Sequence, residues 1–446
     1  MVNHPESQHF LPRLKVHSNH RYLMTEKSQP FFWLGDTAWW IRWLMPVEAE
    51  QYMTHRARHG FNLLQVHCGY QVKDYAGNQA FMDDNPLQPN NTYWQTIDAI
   101  VEQALKHHLY IALFPMWGNE YAKAFGGDLD RAESFGYWIG QRYAHWSHVL
   151  WSVSGEYDSI NDYRLPILTP QKQLFNAVAN GLRSAHHGQQ LMTIHPGVAR
   201  ASSLDFHDAE WLDFNMLQSG HMNDCSQFEL PENHELISED YERRPLKPVL
   251  DGEPFYEDTP DGVWVYKTID QPRCDAAAVR RKAYGSVFAG AFGHTYGHND
   301  IYGFFKPAFP GQVVEFSQGP GQRGDWHRSM DAPGALQMKH LRSLIESRSF
   351  FDRVPDDALI VNHPGSGLNR MKATRAAGGE WAMIYLPLGQ VVQVDLNRLA
   401  DGRVKSGWFN PRSGEFMENA LTFTRQVQSF TPPDEGTDWV LVLDVL

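Results

Sequence analysis

Eight short apolar runs, most of them followed by a stretch with helical periodicity, restrict most strongly how this chain can fold. The runs span residues 31–37, 61–67, 109–114, 148–154, 190–195, 212–218, 249–250 and 291–296. They are short, rich in branched and aromatic side chains, and apolar on both alternating faces, as strands covered on both sides are. Between them, residues 46–59, 92–107, 130–143, 169–187, 275–289 and 335–347 carry helical patterning. Residues 92–107 place Ile97, Ile100, Val101, Ala104 and Leu105 on one face, and Thr169-Pro170 reads as an N-cap followed by a first-turn proline. Strands alternating with helices signal βαβ units and a parallel sheet. Eight of them over roughly 300 residues predict a closed (β/α)8 TIM barrel at residues 31–350. An open doubly wound sheet is the second choice. It wants a Gly-rich phosphate loop after the first strand, where this chain has Gly35-Asp36-Thr37-Ala38-Trp39-Trp40.

Residues 1–30 read as a lead-in hairpin around Ser18-Asn19-His20. The texture changes near 351–355. From 355 to 446, short runs at 358–361, 381–386, 391–396, 405–409 and 439–443 are separated by Gly, Pro and Asn turns. That pattern predicts an all-β sandwich domain, α/β chemistry being left to the barrel. Its Trp408-Phe409-Asn410-Pro411 segment either packs on the barrel or touches a ligand.

Two of the eight runs end alike. Ser152-Val153-Ser154-Gly155-Glu156 closes the fourth, and Val249-Leu250-Asp251-Gly252-Glu253 the seventh. In a (β/α)8 barrel the chemistry sits where strands end, so Glu156 and Glu253 are expected to face each other across one pocket. Two carboxyls flanking a glycosidic bond are the equipment of most glycoside hydrolases: one protonates the leaving oxygen, the other attacks the anomeric carbon or activates water. The other strand ends carry Asp36, His67, Trp117, His195, Gln218 with His221, and His294 with His298. Asp36 is expected to bind a sugar hydroxyl or to bond nearby backbone. The histidines are expected to donate to sugar oxygens or to be satisfied structurally. Trp39, Trp40 and Trp117 either stack on sugar rings or fill the core, and Tyr256 is placed to orient Glu253. Cys68 follows His67 without a base or oxyanion pattern and reads as a small buried residue.

Composition sets outer limits. A net charge of −13 with no basic run argues against a nucleic-acid track or a membrane surface. Cys68, Cys225 and Cys274 make neither a disulfide framework nor a zinc spacing, which fits a reducing compartment. The first ten residues lack the apolar core of a signal peptide, so a cytoplasmic protein is expected. The 15 Trp, 18 Tyr and 25 Phe are the unusual feature, and flat aromatic faces suit sugar rings.

Four segments carry a resemblance: Phe32-Trp33-Leu34-Gly35-Asp36-Thr37-Ala38-Trp39, Trp151-Ser152-Val153-Ser154-Gly155-Glu156, Gln218-Ser219-Gly220-His221 and Pro248-Val249-Leu250-Asp251-Gly252-Glu253-Pro254-Phe255-Tyr256-Glu257. They are similar to the apiosidase-like glycoside hydrolases of family 140, and nearly the whole chain takes part. The resemblance implies a (β/α)8 domain followed by a small sandwich labelled a collagen-binding domain, and release of apiose from a glycoside. The strand-four and strand-seven arrangement also resembles the large clan of retaining (β/α)8 glycosidases, which implies Glu156 as acid/base and Glu253 as nucleophile. The family's usual Gly-Gly-Asp is Ser154-Gly155-Glu156 here, an acid one methylene longer. The expected partner is a short oligosaccharide or glycoside, with no metal and no cofactor. Two other classes compete. A metal-dependent (β/α)8 hydrolase would use His195 and His221, but it also wants His-x-His after the first strand, where Gly35-Asp36-Thr37 stands. A non-catalytic carbohydrate or protein binder would not need both acids.

Overall fold

The computed structural model describes residues 10–69, 72–118, 124–158 and 165–446. Eight strands form the barrel: β1 (Trp33–Thr37), β2 (Leu63–His67), β3 (Tyr110–Phe114), β4 (Val149–Ser152), β5 (Met192–Thr193), β6 (Asn215–Gln218), β7 (Val249–Asp251) and β8 (Gly293–Tyr296). All are buried along their length, as runs covered on both faces must be. Six of them make one sheet in the order β8-β1-β2-β3-β4-β5, every pair parallel. β6 pairs with β7 in parallel, Asn215 opposite Val249. Single backbone bonds bridge the two remaining gaps. Asp213 N donates to Met192 O at 2.9 Å beside β5, and Phe292 N to Val249 O at 3.1 Å beside β7. The sheet therefore closes on itself, as the eight runs predicted, and the open-sheet alternative falls away.

The helices between strands are α1 (Pro46–Arg58), α2 (Asn91–Lys106), α3 (Leu129–Tyr143), α4 (Thr169–Ala185), α5 (Asn233–Glu242), α6 (Ala276–Phe288) and α7 (Pro333–Glu346). α2 buries Ile97, Ile100, Val101 and Ala104, while Leu105 is only half-buried. Asp128 caps α3, its carboxylate accepting from Arg131 N at 3.1 Å, so that helix starts before the expected residue 130. Thr169 is inside α4 and does not cap it. Leu168 is the cap, and its N–H donates to the Gln171 side chain at 3.2 Å. α5 has no counterpart in the sequence reading. Its first turn and its surface are acidic, and Ile237 and Tyr241 are the only apolar side chains it buries. No helix among the described residues is long and apolar enough to cross a membrane.

Before the barrel, strands Leu14–Val16 and Leu23–Thr25 pair antiparallel, and Pro30–Phe31 adds a third. After it, six antiparallel strands make one sheet, and Val392–Asp395 pairs with Val427–Phe430 in a second. Together they build the expected β-sandwich. The run at 358–361 is not one of its strands: Asp357–Leu359 is a 3₁₀ turn. The sandwich leans on α6, where the Arg280 guanidinium holds the Asp438 carboxylate through two bonds of 2.7 and 2.8 Å. Tyr284 stacks on Tyr385 at 4.7 Å between ring centres. Trp408 fills the sandwich core and Phe409 packs against the barrel cluster, which answers the question that segment posed.

Candidate active site

The two Gly-Glu ends have a common physical reason. β4 continues its pairing with β5 past Ser152, through Val153 N to Thr193 O at 2.8 Å and His195 N to Ser154 O at 3.0 Å. Gly155 then lies flat against the Trp117 indole: a Cβ there would sit 2.2 Å from a ring carbon. Gly252, one step past β7, is pinned by its N–H to Leu217 O at 2.8 Å. A Cβ on it would sit 2.6 Å from Met216 sulfur. In both cases the missing side chain lets the strand end pass a bulky neighbour, and the next residue is the acid. Glu156 itself takes a left-handed backbone, φ +40°. A non-glycine residue there costs of order 1–3 kcal/mol, and such strain concentrates at functional sites. Gly155→Ala is expected to displace Trp117 and Glu156 together. Overpacking of this kind costs about 1–3 kcal/mol, and an ångström of misplacement about a hundredfold in rate. Thermal melts with kcat/KM on an aryl glycoside would check it; an alanine variant with native kinetics would contradict it.

Both carboxyls line one cavity of ≈ 840 Å³ at the C-terminal end of the barrel. His67, Trp117, Gln218, His221, Trp39 and Tyr256 line it with them. Glu253 is held by two imidazoles: Oε2 lies 3.0 Å from His195 Nε2, and Oε1 lies 3.2 Å from His221 Nε2. Burial alone would raise its pKa, but those two bonds and the imidazole charges outweigh it and bring it down to about 2. Glu156 moves the other way. Burial raises its pKa, the charge of Glu253 raises it further, and the Gln218 amide, donating at 3.3 Å, offsets only part. Trp39 Nε1 donates to the Tyr256 hydroxyl at 2.9 Å. Burial and then the Glu253 charge keep the Tyr256 proton in place, so Tyr256 faces the carboxylate as a donor.

Removing the His221 bond should raise the Glu253 pKa, since that bond favours the ionised form. A hydrogen bond to a charged group is worth roughly 1.5–3 kcal/mol, or about one to two pH units. The acid limb of kcat/KM in His221→Phe should therefore move to higher pH by about that much. A pH–rate profile with an unmoved acid limb would contradict the assignment.

Several expected site residues lie elsewhere. Asp36 does not line the cavity. It is fully buried, ion-paired with Arg56, and accepts from the Tyr52 hydroxyl at 2.6 Å. A carboxylate so engaged anchors α1 to β1 and is not presented to a sugar. His294 is also outside the cavity, and burial pushes its pKa down to about 3. His298 accepts from Asp300 N at 3.0 Å and stands behind the wall. His195 is wholly buried and reaches the cavity only through Glu253. His67 does reach it, kept neutral by burial and by nearby Arg42. Cys68 is buried, its thiol pushed up to about 12, which suits a space-filling residue.

The sequence reading missed Trp43, Tyr302, Asn299 and Trp264, which also line the cavity. Trp40, weighed as a stacking platform, is there too, its ring 4.4 Å from Trp43 and 5.5 Å from Tyr302. Trp43 follows the double tryptophan closely enough to have been noticed. Tyr302 and Asn299 lie beyond the eighth strand end in a loop whose path no periodicity reveals. As for the metal-dependent alternative, His195 and His221 both spend their Nε2 atoms on Glu253. Among the described residues, the one group of three His, Cys or acid side chains with converging ligand atoms is His55, His59 and Asp331, outside the cavity.

A closed (β/α)8 barrel whose catalytic end holds two acids in an aromatic-walled cavity is the architecture of a glycoside hydrolase, and the comparisons agree. The chain belongs to the apiosidase-like family, whose catalytic-domain model matches residues 17–352. Residues 354–444 match the model described as "Putative collagen-binding domain of a collagenase". A solved structure described as a glycoside hydrolase is 30% identical, with a TM-score of 0.86 and 97% of each chain covered. A glycoside hydrolase family 5 structure from Bacteroides vulgatus ATCC 8482 is 31% identical, TM-score 0.86, covering 97% of this chain and 93% of that one. A third structure, from the same organism, shares the fold at TM-score 0.66 with 13% identity, covering 99% of this chain and 84% of that one. Curated proteins yield no match.

Proposed function

We propose that this glycoside hydrolase works with retention of configuration, Glu253 as nucleophile and Glu156 as general acid and base. The observation that carries this reading is geometric: Glu156 and Glu253 line one cavity from the ends of β4 and β7, and His195 Nε2 at 3.0 Å and His221 Nε2 at 3.2 Å hold Glu253 as an anion, while burial and the Glu253 charge raise the pKa of Glu156. Near neutral pH the first is an anion with no proton to give, and the second holds its proton longer than a free glutamate does. Environments that push paired carboxyls apart are how acid and base roles are divided.

In the first step a Glu253 oxygen bonds to the anomeric carbon as the bond to the leaving oxygen breaks. That oxygen takes the electron pair and the Glu156 proton, and departs as an alcohol. In the second, Glu156, now ionised, removes a proton from water. The water oxygen bonds to the anomeric carbon, and the ester bond to Glu253 breaks with its electron pair returning to the carboxylate. Glycoside and water become free sugar and alcohol. His195 and His221 stay bonded to Glu253, favouring it as an anion before attack and as a leaving group afterwards.

The substrate is an apioside in a short glycoside or oligosaccharide. The family description supports the sugar, and the cavity walls of Trp39, Trp40 and Trp117 support a ring-shaped ligand. A panel of aryl apiosides, arabinofuranosides, galactosides and glucosides tests the sugar, and proton NMR of the first-formed anomer tests the stereochemistry. The apioside should be the best substrate and the first anomer should match it in configuration. Turnover of another sugar alone would overturn the substrate, and an inverted anomer the mechanism.

A further inference from the structure

We propose that His55, His59 and Asp331 form a binding site for a divalent transition-metal ion, zinc foremost, outside the sugar cavity. His55 and His59 are one turn apart where α1 ends, so their rings share a face, with ring centres 4.4 Å apart. Asp331 comes from the far end of the barrel sequence, yet its Oδ1 lies 2.9 Å from His55 Nε2 at a separation of 276 residues. One ligand atom from each of the three lies within 4.8 Å of the others. Zinc bonds of about 2.0–2.2 Å in a tetrahedron space their ligands by roughly 3.3–3.5 Å, so the ion is admitted when the 2.9 Å His55–Asp331 pair opens and atoms as much as 4.8 Å apart draw in. Asp331 can supply that movement, because its side chain is 70% exposed.

A second observation points the same way. His59 Nδ1 is shielded from solvent and has no hydrogen-bond partner among the described residues. Two cations face the trio. Arg56 is already paired with Asp36, and Lys339 stands beside His59. Both weaken the field for a cation, and Arg56 Nη1 lies 3.5 Å from His55 Nδ1, which leaves Nε2, the nitrogen beside Asp331, to face the ion. Two imidazoles and one carboxylate suit zinc, nickel or copper over calcium or magnesium, with water in the fourth position.

The bound ion would join α1, the first helix of the barrel, to the segment just before α7, the last. Arg56 already spans that seam by donating to Met330 O at 2.8 Å. The site is a staple across the barrel's closure, and its effect is on stability, since none of the three residues lines the cavity.

Full-length protein stripped with chelator and dialysed would be titrated with zinc chloride by calorimetry and melted with and without zinc. One saturable equivalent per chain is expected, with a melting temperature raised by roughly 3 °C or more at a hundredfold excess over Kd. His59→Ala and Asp331→Asn should each weaken binding at least tenfold while leaving glycosidase activity unchanged. No saturable binding to the native chain, or less than tenfold weakening in either variant, would overturn the site.

Discussion

Glu253→Gln is expected to lose turnover on every glycoside, by on the order of 10⁵–10⁶ in kcat, the scale seen when an enzyme nucleophile is removed. The amide is neutral and cannot attack, and it offers His195 and His221 one acceptor oxygen where the carboxylate offers two. The loss should be indifferent to leaving group, because the covalent ester never forms with an activated aglycone or with a poor one. It should also come with an intact fold, since the substitution is nearly isosteric. Measured kcat on a good and a poor leaving group, beside the thermal melt, checks both halves. Residual activity that varied steeply with the leaving group would place Glu253 in a different role.

Glu156 predicts a different signature. Proton transfer contributes about 10²–10⁴-fold, and its share depends on how much help the leaving oxygen needs. Glu156→Ala should therefore slow aryl glycosides with acidic leaving groups little in the first step and alkyl glycosides by the full factor. Azide, which needs no general base, should rescue the second step and give a glycosyl azide of retained configuration. Stability should move in the opposite sense from activity. A carboxyl whose folded-state pKa is raised binds its proton more tightly when folded, so stability falls as pH rises above the unfolded value, about 4.3 for Glu. Burial and the Glu253 charge are the causes of the raise here. Glu156→Gln should accordingly melt higher than the native protein at neutral pH, with the difference vanishing below about pH 4. A variant that melts lower across that range would mean that Glu156 is not destabilised by its surroundings.

The strand order was legible because a parallel barrel buries each strand on both faces, and such runs stand out against helical periodicity. The Gly-Glu ends were legible for the same reason: a glycine and a charge interrupt an apolar run abruptly. What stayed hidden was pairing at a distance. His195 and His221 meet Glu253 from 58 and 32 residues away, and no local pattern distinguishes them from His294, which stays in the barrel wall. Asp36 looked like its fellow strand ends, but Arg56 and Tyr52 on the following helix claim it. α5 was missed because its amphipathic signal is weak: Leu236, Ile237 and Tyr241 are its only apolar side chains, and only the last two are buried. The left-handed backbone at Glu156 leaves no mark in the local sequence, since glutamate carries no preference for it.

Double displacement requires that Glu253 become covalently bonded to the sugar. A slow-turnover fluorinated aryl glycoside of the preferred sugar, incubated with the enzyme and followed by peptide mass spectrometry, measures it directly. One glycosyl adduct per chain is expected, on the peptide carrying Glu253 and absent in Glu253→Gln. An adduct on Glu156, or turnover of the same compound with inversion and no adduct, would contradict it.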